Sequence, residues 1–157
     1  MRSILFVCTA NICRSPTAEA VVRAQLKKAG LARQVVVDSA GTQRHQFAQP
    51  PDARAQKAAL RRGYDLSRLR ARRVTEADFS DFDRILAMDR GNLDILQRDC
   101  PAEHRHKLGL FLEYSRGFSE REVPDPYYGS EAGFERVLDL IEDAASGLVD
   151  SLRWADP

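Results

Sequence analysis

The stretch Ser3-Ile4-Leu5-Phe6-Val7-Cys8-Thr9-Ala10-Asn11-Ile12-Cys13-Arg14-Ser15-Pro16 decides how the chain is read. Ser3 to Cys8 is short and apolar, with Ile, Phe and Val, which predicts a buried strand. Ser15-Pro16 reads as a helix start, with Ser15 as N-cap and Pro16 at the first helical position. Ala18, Val21, Val22, Leu26 and Ala29 give that helix one apolar face, and Gly30 closes it.

The same alternation continues along the chain. Gln34 to Ser39 reads as a second buried strand, and Ala40 to Pro51 as a loop. Asp52 caps a helix running to about Arg62, with Gly63 after it. Thr75 to Phe82 looks like a short helix, Arg84 to Met88 a third strand, Asn92 to Arg98 a helix and Lys107 to Phe111 a fourth strand. Leu112 to Gly129 is irregular. Phe134, Val137, Leu138, Ile141, Ala145, Leu148 and Leu152 then form the apolar stripe of a long C-terminal helix. Gly147 inside it counts as a weakness of roughly 1 kcal/mol against Ala. Strands alternating with helices predict an α/β fold, a parallel sheet with helices on both faces, in one domain over residues 1–157. Ligands of such sheets bind at the carboxyl ends of the strands, so the loop after the first strand is the first place to look.

Composition narrows the function. The 157 residues carry 24 Lys plus Arg against 23 Asp plus Glu, a net charge of +1. That excludes a general binder of extended polyanions, so neither nucleic acid nor an anionic membrane is expected as partner. No apolar run approaches the ~18–20 residues of a membrane span, and Ile4 to Cys8 is too short for a signal-peptide core. A cytoplasmic protein is expected. Three cysteines, an odd count, point to chemistry rather than a disulfide framework.

The loop from Cys8 to Ser15 supplies that chemistry. A strand-to-helix turn points successive backbone N–H groups into one concavity, and the helix dipole adds positive potential. Thr9, Ala10, Asn11, Ile12, Cys13 and Ser15 would make this phosphate-binding cradle, with Cys8 at its floor. Donors and dipole favour the charged form of a thiol there. Arg14 can return over the opening and grip two oxygens of a phosphoryl group. Ser15 can donate to the Cys8 sulfur. A thiolate in an oxyanion cradle is a nucleophile aimed at phosphorus, giving a phosphocysteine that water then hydrolyses. No metal or other cofactor is required.

Val7 to Pro16 resembles the phosphate-binding loop of the low-molecular-weight protein tyrosine phosphatases. The resemblance continues through Asp38-Ser39-Ala40-Gly41-Thr42, Pro50-Pro51-Asp52-Ala53-Arg54-Ala55, Ala87-Met88-Asp89 and Asp125-Pro126-Tyr127-Tyr128-Gly129, nearly the whole chain in order. It implies a four-stranded parallel sheet, order 2-1-3-4, and a metal-independent phosphotyrosine phosphatase. The SAGT and PPDARA segments are closer to bacterial members, which implies as partner a tyrosine autokinase of capsule or exopolysaccharide export.

Cleaving a phosphomonoester needs a proton for the leaving oxygen. Asp125 is the candidate, held out of helical geometry by Pro126. Alone, Asp125-Pro126 reads as an ordinary turn; the resemblance makes Asp125 the acid that protonates the phenolate and then activates water. Tyr127 and Tyr128 would wall the cleft against a substrate ring. Opposite them, the resemblance places His45 where the family often has Trp. Asn11 and Ser39 are similar to residues that hold the cradle in shape. Leu69 stands where family members often have a His that bonds the loop Asn. Ala10 replaces a usual Gly, which predicts slight strain at that position.

Other readings stay open. Cys13 is either a redox partner that protects Cys8 as a reversible disulfide or a small buried filler. Cys100 has no evident partner. His104 and His106 are too isolated for a metal site. Arg61, Arg62, Arg68, Arg70, Arg72 and Arg73 make either a solvated face or a dock for acidic tails. An arsenate reductase shares the fold and loop but needs further cysteines for its relay. Arginine phosphatases usually carry Thr where this chain has Ile12, and Ile12 with Tyr127-Tyr128 points to phosphotyrosine.

Overall fold

Alternate residues of the first strand serve opposite faces of one sheet. In the computed structural model, which describes residues 2–44, 46–127 and 129–153, β1 is Arg2–Cys8. Its Ile4, Phe6 and Cys8 enter one hydrophobic cluster, and its Leu5 and Val7 another. That period of two is the strand's own geometry. β1 pairs in parallel with β2 (Val35–Gly41) and β3 (Arg84–Ala87), and β3 pairs with β4 (Leu108–Leu110). The order is β2-β1-β3-β4, as expected from the resemblance.

Helices cover both faces. The larger cluster joins Phe6 and Leu86 to α1 (Arg14–Lys28), α2 (Ala53–Arg61) and α5 (Glu131–Arg153). Phe6 meets Phe111 edge to face, with ring centroids 5.1 Å apart. On the opposite face, Leu5, Val7 and Ile85 pack with Phe79 of α3 (Glu76–Asp81) and Leu96 of α4 (Arg90–Asp99). Among the described residues no helix is long and apolar enough to cross a membrane.

Three expectations are corrected. First, α1 begins at Arg14, with Cys13 as N-cap and no side-chain cap. The Ser15 hydroxyl is drawn instead to the Cys8 sulfur and Asn11, and Pro16 sits within the first turn, where its missing N–H costs nothing. Second, the left-handed residue of the loop is Asn11 (φ 59°), not Ala10. Asn tolerates that region, so Ala in place of Gly at 10 brings no such strain. Third, Gly147 is required. A Cβ there would stand 1.9 Å from the Tyr114 carbonyl oxygen.

The basic stretch divides as well. Arg62 pairs with Glu135, Asp139 and Glu142 of α5, and Arg61 reaches Glu131 and Glu135. Arg72 pairs with Asp38 and Asp78. Half of the stretch therefore ties elements of this chain together.

Candidate active site

Residues 9–13 run from the end of β1 to the start of α1, and two neighbouring segments of backbone hold their shape. The N–H groups of Thr42, Gln43 and Asp52 donate to the carbonyls of Cys8 (2.9 Å), Thr9 (3.0 Å) and Ile12 (2.8 Å). In a trans peptide the next N–H points the opposite way, which turns those of Thr9, Ala10 and Cys13 away from these partners. Gly41 makes this packing possible, since a Cβ there would stand 2.7 Å from the Thr9 oxygen.

The side chains behind the loop form a polarised chain. Arg23 donates to Glu19 (2.6 Å) and the Ser39 hydroxyl donates to the same carboxylate (2.7 Å). Asn11 Nδ2 donates to Ser39 Oγ (3.0 Å) and to Ser15 Oγ (2.8 Å). An amide nitrogen only donates, so Ser15 is left with its own proton for the Cys8 sulfur, 3.0 Å away, with the Ala40 carbonyl as a weaker option at 3.4 Å. Burial pushes the Glu19 carboxyl up from its ordinary pKa, and the Ser39 and Arg23 hydrogen bonds oppose that shift. The third Asn11 bond comes from the backbone N–H of Arg72, 3.0 Å from Oδ1. Leu69 packs against the core.

Arg14 is almost wholly buried. Its Nη1 donates to Asp89 Oδ2 (2.6 Å) and to the Val123 carbonyl (2.9 Å), and Nη2 lies 3.6 Å from Asp125 Oδ2. Burial alone would lower its pKa, but Cys8 and Asp89 hold it above the ordinary value, so the guanidinium keeps its charge. Asp89 also caps α4, accepting from Asn92 N (2.7 Å). Thr9 Oγ1 accepts from Asn92 Nδ2 (3.1 Å), so that side chain braces the loop while its backbone faces the cleft.

Cys8, Ile12, Cys13, Arg14, Asp125 and Tyr127 line one cleft of about 290 Å³, together with Gln43 and Gln46. Asp125 is half exposed at its mouth and accepts from Tyr127 N (3.1 Å). Arg54 donates to the Tyr127 carbonyl (2.8 Å) and to both Asp52 oxygens, fixing the acid loop to α2. Burial drives the Cys13 thiol far above its ordinary pKa. His45 and Tyr128 lie outside the described residues. Cys100 is buried in the cluster on the other face of the sheet.

Sequence reading missed Asp89, Glu19 and Arg54 as members of this site. Asp89 carried a signal, an Asp before a helix, but only the fold shows its second oxygen on Arg14. Glu19 and Arg54 reach the site through contacts distant in sequence.

The family model of low molecular weight phosphotyrosine protein phosphatases matches residues 3–155. The chain belongs to that family. Among its relatives is a Synechocystis protein provisionally named a low molecular weight protein-tyrosine-phosphatase, 47% identical over 150 residues and covering 95% of each chain. The fold is similar to that of an Entamoeba histolytica protein tyrosine phosphatase solved with Hepes in the active site. The TM-score is 0.95 at 40% identity, covering 98% of this chain and 97% of that one. A Vibrio vulnificus Wzb solved in complex with benzylphosphonate gives a TM-score of 0.83 at 31% identity, covering 96% and 98%.

Proposed function

We propose that this family member hydrolyses phosphotyrosine in proteins, with Cys8 as nucleophile, Arg14 as phosphoryl clamp and Asp125 as general acid and base. The observation that carries this reading is the joint presence of Cys8, Arg14 and Asp125 on one cleft, with the Ser15 hydroxyl directed at the sulfur. The Cys8 thiolate attacks phosphorus and the bond from phosphorus to the tyrosyl oxygen breaks. Asp125 gives that oxygen its proton. Water then attacks the phosphocysteine, passing a proton to the Asp125 carboxylate, and the S–P bond breaks to release phosphate. Loop N–H groups and Arg14 match the charge that spreads over the phosphoryl oxygens in flight.

Tyr127 beside the acid supports an aryl ester as substrate, and the benzylphosphonate in complex with Wzb likewise joins a phenyl ring to its phosphorus, through one methylene. Burial of Cys100 on the opposite face disfavours an arsenate reductase, which needs its cysteines in relay. The partner proposed is a bacterial tyrosine autokinase of polysaccharide export, encountered in the cytoplasm. Hydrolysis of p-nitrophenyl phosphate tests the chemistry. Activity is expected to survive EDTA and to vanish in Cys8→Ser; activity persisting in Cys8→Ser overturns the assignment.

Cys13 is proposed as redox guard, because it lines the same cleft as Cys8. Peroxide oxidises Cys8 to a sulfenic acid, the Cys13 thiol displaces water, and added thiol reduces the disulfide. Dithiothreitol is expected to restore peroxide-treated wild type but not Cys13→Ser. Equal recovery of both excludes the role.

A further inference from the structure

A second hollow, of about 180 Å³, has the buried Ala58 and Phe134 and the carboxylate of Glu131 in its lining. Arg54, Lys57 and Arg61 line it from one face of α2, spaced three and four residues apart. Arg54 is the partition between the two sites: its Cζ lies 5.5 Å from the Tyr127 ring and 4.9 Å from the Phe134 ring. Arg54 is already paired with Asp52. Arg61 makes looser pairs, 3.8 Å to Glu131 and 3.4 Å to Glu135, and the Glu131 side chain is 74% exposed. Among the described residues no carboxylate pairs with Lys57.

Resting on the phosphotyrosine reading above, we propose that this hollow binds acidic residues flanking the phosphotyrosine of the substrate, with Lys57 as the principal contact. Charge complementarity carries the assignment, because the hollow opens beside the acid loop and presents an unmatched ammonium beside apolar side chains. Lys57 lies about 4.5 Å and Arg61 about 10.5 Å beyond Arg54 along the helix. An extended peptide advances about 3.4 Å per residue, so carboxylates about one and three residues beyond the peptide residue beside Arg54 come into register with Lys57 and Arg61. A peptide carboxylate displaces the exposed Glu131 from Arg61 rather than breaking a buried pair.

The test uses phosphotyrosine peptides with Glu, Gln or Leu at the second to fourth positions on either side. kcat/KM is measured for wild type, Lys57→Glu and Lys57→Gln, with p-nitrophenyl phosphate as the control lacking flanks. Peptide binding to Cys8→Ser, with and without Lys57→Glu, is followed by fluorescence anisotropy. Wild type is expected to prefer Glu over Gln about fivefold on one side, as solvent-exposed pairs allow. The preference falls severalfold in 0.5 M salt (about a 4 Å screening length), disappears in Lys57→Gln and reverses in Lys57→Glu, while the control substrate is unchanged. Equal kcat/KM for Glu and Gln peptides in wild type, a preference for Leu, or a Glu preference that survives Lys57→Glu overturns the inference. If wild type fails on the control substrate, the phosphatase reading fails. A Glu preference in binding to Cys8→Ser that Lys57→Glu abolishes would then still support the hollow, and its absence would overturn that too.

Discussion

The Ser15 hydroxyl stands 3.0 Å from the Cys8 sulfur, and Asn11, which donates to Ser15 Oγ, leaves the Ser15 proton available to that sulfur. Because Asn11 occupies a Ser15 lone pair as donor, Ser15 stabilises negative charge on sulfur both before attack and when the phosphocysteine breaks down. Ser15→Ala is expected to lower kcat about tenfold to a hundredfold, the weight of one charge-assisted hydrogen bond. Its effect on KM is expected to be smaller. Slowed breakdown shows as a burst of p-nitrophenol in stopped flow; an unchanged kcat would mean that the contact is structural only.

Arg14 is gripped from behind by Asp89, 2.6 Å from Nη1, and by the Val123 carbonyl, 2.9 Å away. The guanidinium fork can hold these partners and still present Nη2 to a phosphoryl group, which a single ammonium cannot do. Arg14→Lys is expected to lose at least about a hundredfold in kcat/KM. Asp89→Asn, which keeps the shape but removes the charge, is expected to lose about tenfold. Steady-state kinetics on an aryl phosphate reads both, and equal losses would contradict the distinction.

Gly147 shows where local rules give way to packing. Helix propensity alone favours Ala there by about 1 kcal/mol. A Cβ 1.9 Å from the Tyr114 oxygen reverses the sign, because backbone must shift to admit it. Gly147→Ala is expected to destabilise the fold by about 3 kcal/mol, the upper range for overpacking. That corresponds to a fall in Tm of roughly 10 °C. Urea and thermal unfolding check it; a stabilised variant would contradict the close approach.

Asp143 ties the irregular segment after β4 to α5. Its carboxylate accepts from the Ser115 hydroxyl and from the N–H groups of Arg116 (3.0 Å) and Gly117 (3.1 Å). Burial would raise its pKa, but these donors outweigh burial and hold it below the ordinary carboxylate value. A depressed pKa stabilises the folded state above the unfolded value of about 3.9, and the benefit is lost as pH falls through the lower folded value. Asp143→Asn is therefore expected to lower Tm by about 3 °C at neutral pH, the weight of about 1 kcal/mol. The gap to wild type narrows as pH falls below about 3.9. A gap that does not change with pH would exclude the charge as its cause.

Strand periodicity and apolar helix faces made the sheet and its flanking helices legible, because both are written in consecutive residues. The Cys8–Arg14 loop was legible for the same reason. Ser15 was misread as an N-cap because its hydroxyl serves a sulfur seven residues away rather than its own helix. Asn11, not Ala10, takes the left-handed turn, since its side chain meets Ser15, Ser39 and the Arg72 amide together. Asp89 on Arg14 and Glu19 under Ser39 depend on contacts between elements, which no local pattern records.

Covalent catalysis by Cys8 is the central claim, and mass spectrometry of a rapidly denatured Asp125→Ala reaction with p-nitrophenyl phosphate tests it most directly. Without the group that activates water, the intermediate accumulates. The account predicts a mass increase of one phosphoryl group on the peptide carrying Cys8, absent when Cys8→Ser is added. Turnover with no adduct on Cys8, or an adduct on another residue, would contradict it.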